Sequence, residues 1–472
     1  MLVLKILLNR LSNSAVVWSW IFNGFRLASG IIVLPLVLRL FTQADLGMYY
    51  VLLSLVALGP IVDFGFGPTI GRFVSYAMGG AEVLQAHGMP PNPATNSSPN
   101  YPLLWQLLFT TRRLYAYLSL AIIFILGIWG TYMVEMRIGE TSSPLITRLA
   151  WLVTLISTVY DIYSNWWSVY LRALNEVRAA ARVGVVGLVV KFIISVALLL
   201  AGAGLLSIPI ASLAGSAVQR HLARVRTLAL LKGAPPPKEG GRIKENLRIL
   251  WPNSWRLGVL FMSSYLTVNA NTAICSFVFG LAANAKYGLS VQLMSIVSGM
   301  AMVWTSTKWP IIGQHQARRE QVPVQRILWL RIWLQNFTFL LMAAVVVFAI
   351  PSLLWRFGSH KEILPLNWML TLALCSFLDL QFTTWGTLIS MENRLPYLWP
   401  TVATNSLSLS LTLTMVHFTS LGLGALVLGP LLAGSLFNYW YWPFYAARGM
   451  GTTLFRFLFF GPIKAPRGKV SS

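Results

Sequence analysis

Charge is scarce in this chain of 472 residues, and acidic charge is scarcest: 13 Asp and Glu stand against 36 Lys and Arg, and the four types make up 10% of the sequence. An ordinary soluble chain is about a quarter charged. This one cannot cover a water-facing surface with polar groups, which excludes a soluble enzyme. Cysteine is almost missing. Cys275 and Cys375 both lie in apolar runs and read as small core residues, so a disulfide framework and a metal-ligand spacing are absent from the pattern. No metal and no cofactor are expected. A small-residue cleavage site after the first apolar run is also lacking, so no cleaved leader is expected. What the chain has instead is hydrophobic bulk: 56% apolar residues, 13% aromatic, 19 Trp and a mean hydropathy of +0.67. Its net charge of +23 would suggest nucleic acid on a soluble protein. On so apolar a chain it reads as membrane topology, and no nucleic-acid partner is expected.

A helix needs about 20 apolar residues to cross about 30 Å of hydrocarbon. Twelve stretches qualify: 14–38, 46–67, 114–134, 149–170, 183–200, 205–223, 255–278, 287–310, 328–350, 363–389, 398–418 and 421–445. With both termini in the cytosol, the cytosolic ends and loops hold 25 basic residues and the opposite side 6. That asymmetry sets the orientation. Eight of the 25 fall between Arg220 and Arg248, counted with the cytosolic ends and loops. Five basic residues remain within or at the ends of spans: Arg26, Arg72, Lys191, Arg256 and Lys308.

The marked linker near the middle is Gly233-Ala-Pro-Pro-Pro-Lys-Glu-Gly-Gly241, between spans six and seven. It separates an N-terminal six-helix lobe, residues 1–232, from a C-terminal one, residues 242–472. A second polar stretch, 88–100, reads as a flexible cytosolic loop whose Asn96 sequon lies on the wrong side for use. The halves repeat. Trp151 and Thr154 match Trp368 and Thr371; Asp161 and Trp167 match Asp379 and Trp385. Gly202-x-Gly204, Pro209 and Leu213-Ala-Gly-Ser216 match Gly422-x-Gly424, Pro430 and Leu432-Ala-Gly-Ser435. Phe41, Ala44, Tyr49 and Leu55 match Phe279, Ala282, Tyr287 and Leu293 more weakly. Six spans between copies imply a parallel repeat about an axis along the membrane normal, with a substrate site expected between the halves. Gly215, Ser216, Gly434 and Ser435 are read as residues that let helices approach closely.

The second span continues Leu46-Gly-Met-Tyr-Tyr50 and ends Val62-Asp-Phe-Gly-Phe-Gly-Pro-Thr-Ile-Gly-Arg72. Gly65, Gly67 and Pro68 weaken the helix there, so the chain is expected to bend. The Asp-Phe-Gly match to a kinase motif has no catalytic loop beside it, and Gly65-x-Gly67-x-x-x-Gly71 has the wrong spacing for a dinucleotide loop. The segment, with Leu46, Gly47, Tyr49, Asp63, Gly65, Gly67 and Arg72, resembles the first hairpin of the multidrug/oligosaccharidyl-lipid/polysaccharide (MOP) superfamily. It resembles more closely its Wzx-type polysaccharide flippases. The match covers about 30 residues, and span count and repeat agree over the whole chain. The resemblance implies an all-α, polytopic, MATE-like fold of about 12 transmembrane helices in two lobes. It further implies a multi-pass protein of the cytoplasmic (inner) membrane with both termini cytosolic, and a non-enzyme. Its partners would be a lipid-linked glycan, membrane lipids and polysaccharide polymerase or export proteins.

Charges within spans are the sharpest site signal, because one facing lipid at mid-bilayer costs at least about 2.5 kcal/mol. Arg26, one turn after Asn23, and Lys191 lie deepest; Arg256 and Lys308 lie nearer the cytosolic face. The resemblance implies that spans one, two, seven and eight line a cleft. These cations would then make a cavity for the diphosphate of a polyprenyl-linked oligosaccharide. Arg72 meets either a phosphate or a lipid headgroup by snorkelling, and the same choice holds for Arg256 and Lys308. Arg26 contacts substrate or pairs with Asp63. Asp161 and Asp379, at matching mid-span places, are either coupling-ion sites or hydrogen-bond acceptors that close their own lobes, Asp161 with Lys191. Asn253, Ser254, Asn269 and Asn271 in span seven meet sugar hydroxyls or bond across helices. Trp166-Trp167 and Tyr439–Trp442 fit an interfacial aromatic belt.

Four functions follow. The first is a flippase moving an anionic lipid-linked glycan by alternating access, for polysaccharide, O-antigen or exopolysaccharide synthesis. The second is a drug or cation antiporter, which would want acids where span one offers Arg26. The third, a glycan polymerase or glycosyltransferase, lacks the large loop it would need. The fourth is a non-transporting subunit of an envelope polysaccharide assembly.

Overall fold

A computed structural model describes residues 15–78, 80–81, 99–231, 243–309, 312, 321–356, 361–390 and 396–462. The 233–241 linker and most of the 88–100 stretch lie outside the described residues. Every described element is helical. In hydrocarbon each backbone N–H and C=O must be paired within its own segment, and an apolar run of this length can do that only as a helix. The first half runs α1 (Ala15–Leu40), α2 (Gln43–Val56), α3 (Gly59–Asp63), α4 (Phe66–Met78), α5 (Tyr101–Ile125), α6 (Thr131–Glu135), α7 (Pro144–Ser164), α8 (Trp166–Ala173), α9 (Val177–Leu200) and α10 (Ser207–Leu231). The second runs α11 (Ile243–Ser306), α12 (Gln321–Ala344), α13 (Ile350–Arg356), α14 (Leu366–Ser390), α15 (Leu398–Phe418), α16 (Ala425–Leu436), α17 (Asn438–Gly449) and α18 (Leu454–Phe460). Eight helical stretches are long and apolar enough to cross a membrane. One of them, Ser254–Ser306, covers spans seven and eight. With α1, α10 and α15, which carry spans one, six and eleven, the twelve expected spans all have helices.

Local chemistry sets the ends. The side chains of Thr42, Asn100 and Ser143 accept from the backbone N–H of Asp45, Leu103 and Ile146, capping α2, α5 and α7. The expected bend after span two is present: α3 stops at Asp63, Phe64 and Gly65 take φ of 48° and 76°, and α4 starts at Phe66. The repeat shows in the backbone too. A wide π-type turn at Leu126–Gly130 joins α5 to α6, and another at Val345–Ala349 joins α12 to α13. Tight turns at Gly204–Leu206 and Gly422–Gly424 follow α9 and α15.

The chain folds as two compact units. One contains the described residues up to Tyr265 together with Gly280–Ala282; the other contains Leu266–Phe279 and the residues from Ala283 onward. In the first unit α9 and α10 form a close hairpin. A Cβ on Gly187 would stand 2.9 Å from the Gly215 carbonyl, and one on Gly215 2.7 Å from the Gly187 carbonyl. These glycines therefore do let the helices approach closely. The three residues 280–282 are gripped in the same unit. Glu140 accepts from the Leu281 N–H at 2.8 Å, Gln43 Nε2 donates to the Ala282 carbonyl at 3.3 Å, and Gly47 lies directly against the Leu281 carbonyl. Gly280 breaks α11 there with φ 82° and ψ 176°, a conformation open to glycine because it has no Cβ. In the second unit Leu328, Ile332, Trp385, Trp442 and Phe457 make the buried core beside the Gln335 amide, which bridges Thr305 at 2.7 Å and Thr384 at 3.0 Å. Each buried polar group of that bridge is paired, as an apolar surrounding demands.

Candidate functional site

The repeated acids each line a cavity inside their own unit. Asp161, near the end of α7, faces about 360 Å³ together with Lys191 and Ser195 of α9, Ser212 and Ser216 of α10, and Tyr49 of α2. Asp379, on α14, faces about 310 Å³ with Tyr287, Ser295 and Ser298 of α11, Cys375 and Ser376 of α14, and Pro430 of α16. Tyr49 and Tyr287, Pro209 and Pro430 are repeat partners and line corresponding walls.

Their chemistry differs. In the first cavity Ser216 Oγ donates to Asp161 at 3.0 Å, and the guanidinium of Arg220 stands 3.6 Å from the other carboxylate oxygen. Arg220 also donates to Ser168 Oγ at 2.6 Å. Its side chain is only 13% exposed. Lys191 lines the same cavity; Arg220 is not among its lining residues but pairs with Asp161, so two cations surround one acid. In the second cavity Tyr439 donates its phenolic hydrogen to Asp379 at 2.8 Å, and the Cys375 sulfur lies 3.6 Å from the same hydroxyl. No Lys or Arg is among the described residues lining it. Tyr439 stands four residues after Leu432-Ala-Gly-Ser435 and Arg220 four after Leu213-Ala-Gly-Ser216; the helix is continuous over that step in the first copy and broken at Phe437 in the second.

The remaining site residues whose side chains are described are not among the residues lining these cavities. Asp63 accepts from the Gly67 N–H at 3.1 Å and from the Tyr115 hydroxyl, so it caps the restarted helix α4 and ties the bend to α5. The sequence suggested Arg26 as its partner; Arg26 and Asn23 lie on α1, and their side chains are outside the described residues. Arg72 is exposed on α4. Arg256 is exposed on α11 with its guanidinium 5.8 Å from the Trp255 ring. Lys308 is half-buried in the turn after α11, and Asn269 is half-buried within α11. Asn271, by contrast, bonds across helices, donating to the Leu426 carbonyl at 3.1 Å. Two readings are corrected. Arg220, counted with the basic residues of the cytosolic ends and loops, instead turns inward from α10 to Asp161. Ser216 is more than a small contact residue, because its hydroxyl holds Asp161.

Known structures share this arrangement of helices. An inward-facing multidrug resistance MATE family transporter of the MOP superfamily superposes with a TM-score of 0.60 at 15% identity, over 89% of this chain and 99% of the other. The fold is the MATE fold. A MOP superfamily transporter from Pyrococcus furiosus, described by its binding pocket of reversed polarity, gives 0.55 at 14% identity over 94% and 98%. The MATE multidrug transporter DinF-BH gives 0.54 at 15% identity over 92% and 96%. By sequence, no protein-family model and no curated protein matches the chain. Among the described residues no group of His, Cys, Asp and Glu is placed to hold a metal ion.

Proposed function

We propose that this chain is a multi-pass flippase that moves an anionic, diphosphate-linked glycolipid across the cytoplasmic membrane by alternating access. The observation that carries the reading is the charge around Asp161, where Lys191 in the cavity wall and Arg220, paired to the carboxylate outside the lining, outweigh that single acid. An apolar span holds a surplus cation only at a cost, and an anionic substrate offsets it. The bent Asp63–Arg72 hairpin supports the same reading, and the MATE fold supports a membrane transporter. One similar structure is described by a binding pocket of reverse polarity that suggests a different function for that transporter. Arg26, Asn23, Arg72, Arg256, Lys308 and Asn269 are proposed as further substrate contacts. The first half, residues 1–232, and the second, residues 242–472, are proposed to move about the 233–241 linker, with both termini in the cytosol.

The experiment is transfer of a fluorescently labelled polyprenyl-diphosphate oligosaccharide between the leaflets of liposomes containing purified protein. Transfer that needs the protein and is lost in Arg26→Ala and Lys191→Gln supports the reading; no transfer by the intact protein overturns it.

A second reading, a cation or drug antiporter, is favoured by one observation: Asp379 faces a cavity lined by no basic residue among those described. Proton- or sodium-driven efflux of an organic cation, lost in Asp379→Asn, would select it.

A further inference from the structure

We propose that the Asp161 cavity binds a small monovalent inorganic anion of halide size, held by the Lys191 ammonium and by free serine hydroxyls. Both oxygens of Asp161 are already engaged, one by Ser216 and the other by Arg220. Lys191 lines the cavity and is attracted by Asp161, yet among the described residues it makes no ion pair and no hydrogen bond. Two cations and one carboxylate leave a single positive charge, which one monovalent anion balances. An ammonium in apolar surroundings is costly without such a counter-charge.

The cavity wall supplies the donors an anion needs. Ser157, Ser195, Ser212 and Tyr49 line it, and none of their hydroxyls has a hydrogen-bond partner among the described residues. Each serine stands one turn from the charged level. Ser157 lies four residues before Asp161 on α7, Ser195 four after Lys191 on α9, and Ser212 four before Ser216 on α10. Span parity runs α9 against α7 and α10, so the three steps lead the same way, about 6 Å along the helices. A hydroxyl can serve a guest of either sign, donating to an anion or accepting from a cation. Lys191 decides the sign, because it repels a second cation and offers an anion three N–H donors. The second unit does not repeat the arrangement: the residue 218 after Ser157 is Cys375, and α15 contains no Lys or Arg. The site shares Lys191 with the transport reading but does not depend on it, since the anion binds with no glycolipid present.

The test is equilibrium binding of radioactive chloride to the full-length protein in detergent, in gluconate buffer of constant ionic strength. Saturable binding that bromide displaces and gluconate does not is expected. Lys191→Gln is expected to bind chloride at least about tenfold more weakly, having lost a charge-assisted bond. The triple variant Ser157→Ala/Ser195→Ala/Ser212→Ala, which removes donors and no charge, is expected to lose at least about tenfold as well. Arg326→Gln, on α12, is expected to bind chloride as the unmodified protein does. If Lys191→Gln misfolds, the serine variant decides. No saturable chloride binding by the intact protein, unchanged binding in either folded variant, or binding of radioactive sodium that Asp161→Asn abolishes would each overturn the proposal. Glycolipid is absent throughout, so a failure here leaves the flippase reading to its own liposome assay.

Discussion

Asp161 and Asp379 stand 218 residues apart at matching points of the repeat, yet one faces an arginine and the other a tyrosine. The scaffolds around them correspond: wide turns before each, tight glycine turns after each, and cavities of 360 and 310 Å³ walled by paired Tyr and Pro residues. The difference rests on one position, the fourth residue past Leu-Ala-Gly-Ser, and on Lys191, since the sequence of α15 contains no Lys or Arg. The two halves thus share turns and cavity walls and differ in the charge those walls carry. The half whose acid is neutralised within its own fold has cations to spare, whereas the other keeps an acid whose shown partner is a neutral hydroxyl.

Four changes break or sharpen this contrast. Arg220→Gln has the largest expected effect. It removes the guanidinium from both Asp161 and Ser168, and removing one member of a buried pair costs up to about 3–5 kcal/mol. Because the Asp161 side chain is 38% exposed into its cavity, water offsets part of that, and about 2 kcal/mol of lost stability is expected. Thermal unfolding in detergent reads it, and Asp161→Asn added to the same chain should recover part of the loss. Next is Tyr439→Arg, which gives the second cavity the chemistry of the first. The Tyr439 ring packs against Gly434, so about 1–2 kcal/mol of packing is lost, while any dependence of transport on Asp379 should disappear. Transport unchanged in that variant would show that the polarity contrast has no functional consequence.

Asp379→Asn should cost less than about 1 kcal/mol, because Tyr439 can still donate to the amide oxygen and no buried charge is stranded. Smallest in its contrast is the pair Gly202→Ala and Gly422→Ala. Both positions have positive φ, 79° and 57°, with open space where a Cβ would go. Each should lose about 1 kcal/mol, by nearly equal amounts. Unequal losses would mean that the two turns are not equivalent.

Much of the fold was legible because membrane spans are written as long apolar runs. All twelve segments are helical, and the Gly65–Pro68 bend and the Gly202 and Gly422 turns fall where glycine and proline put them. The repeated acids were legible as well, since a carboxylate in an apolar span is conspicuous. Their partners were not. Arg220 falls at the end of span six and heads a run of basic residues that reads as positive-inside charge, so nothing in the pattern marks it as the one that turns inward to Asp161. Tyr439 sits among Trp and Tyr residues that read as an interfacial belt. The fixed step of four residues from each Leu-Ala-Gly-Ser motif would have singled out both. Tyr115, 52 residues from Asp63, carries no such signal, because contacts between helices of one lobe leave no spacing rule in sequence.

The measurement that bears most directly on the central claim is a paired liposome assay. A labelled polyprenyl-diphosphate oligosaccharide and an organic cation are offered to the same purified protein, intact and as Lys191→Gln. Protein-dependent transfer of the glycolipid, at least about tenfold slower in Lys191→Gln, with no movement of the cation, is the predicted result. Movement of the cation alone, lost in Asp379→Asn and indifferent to Lys191, would contradict it.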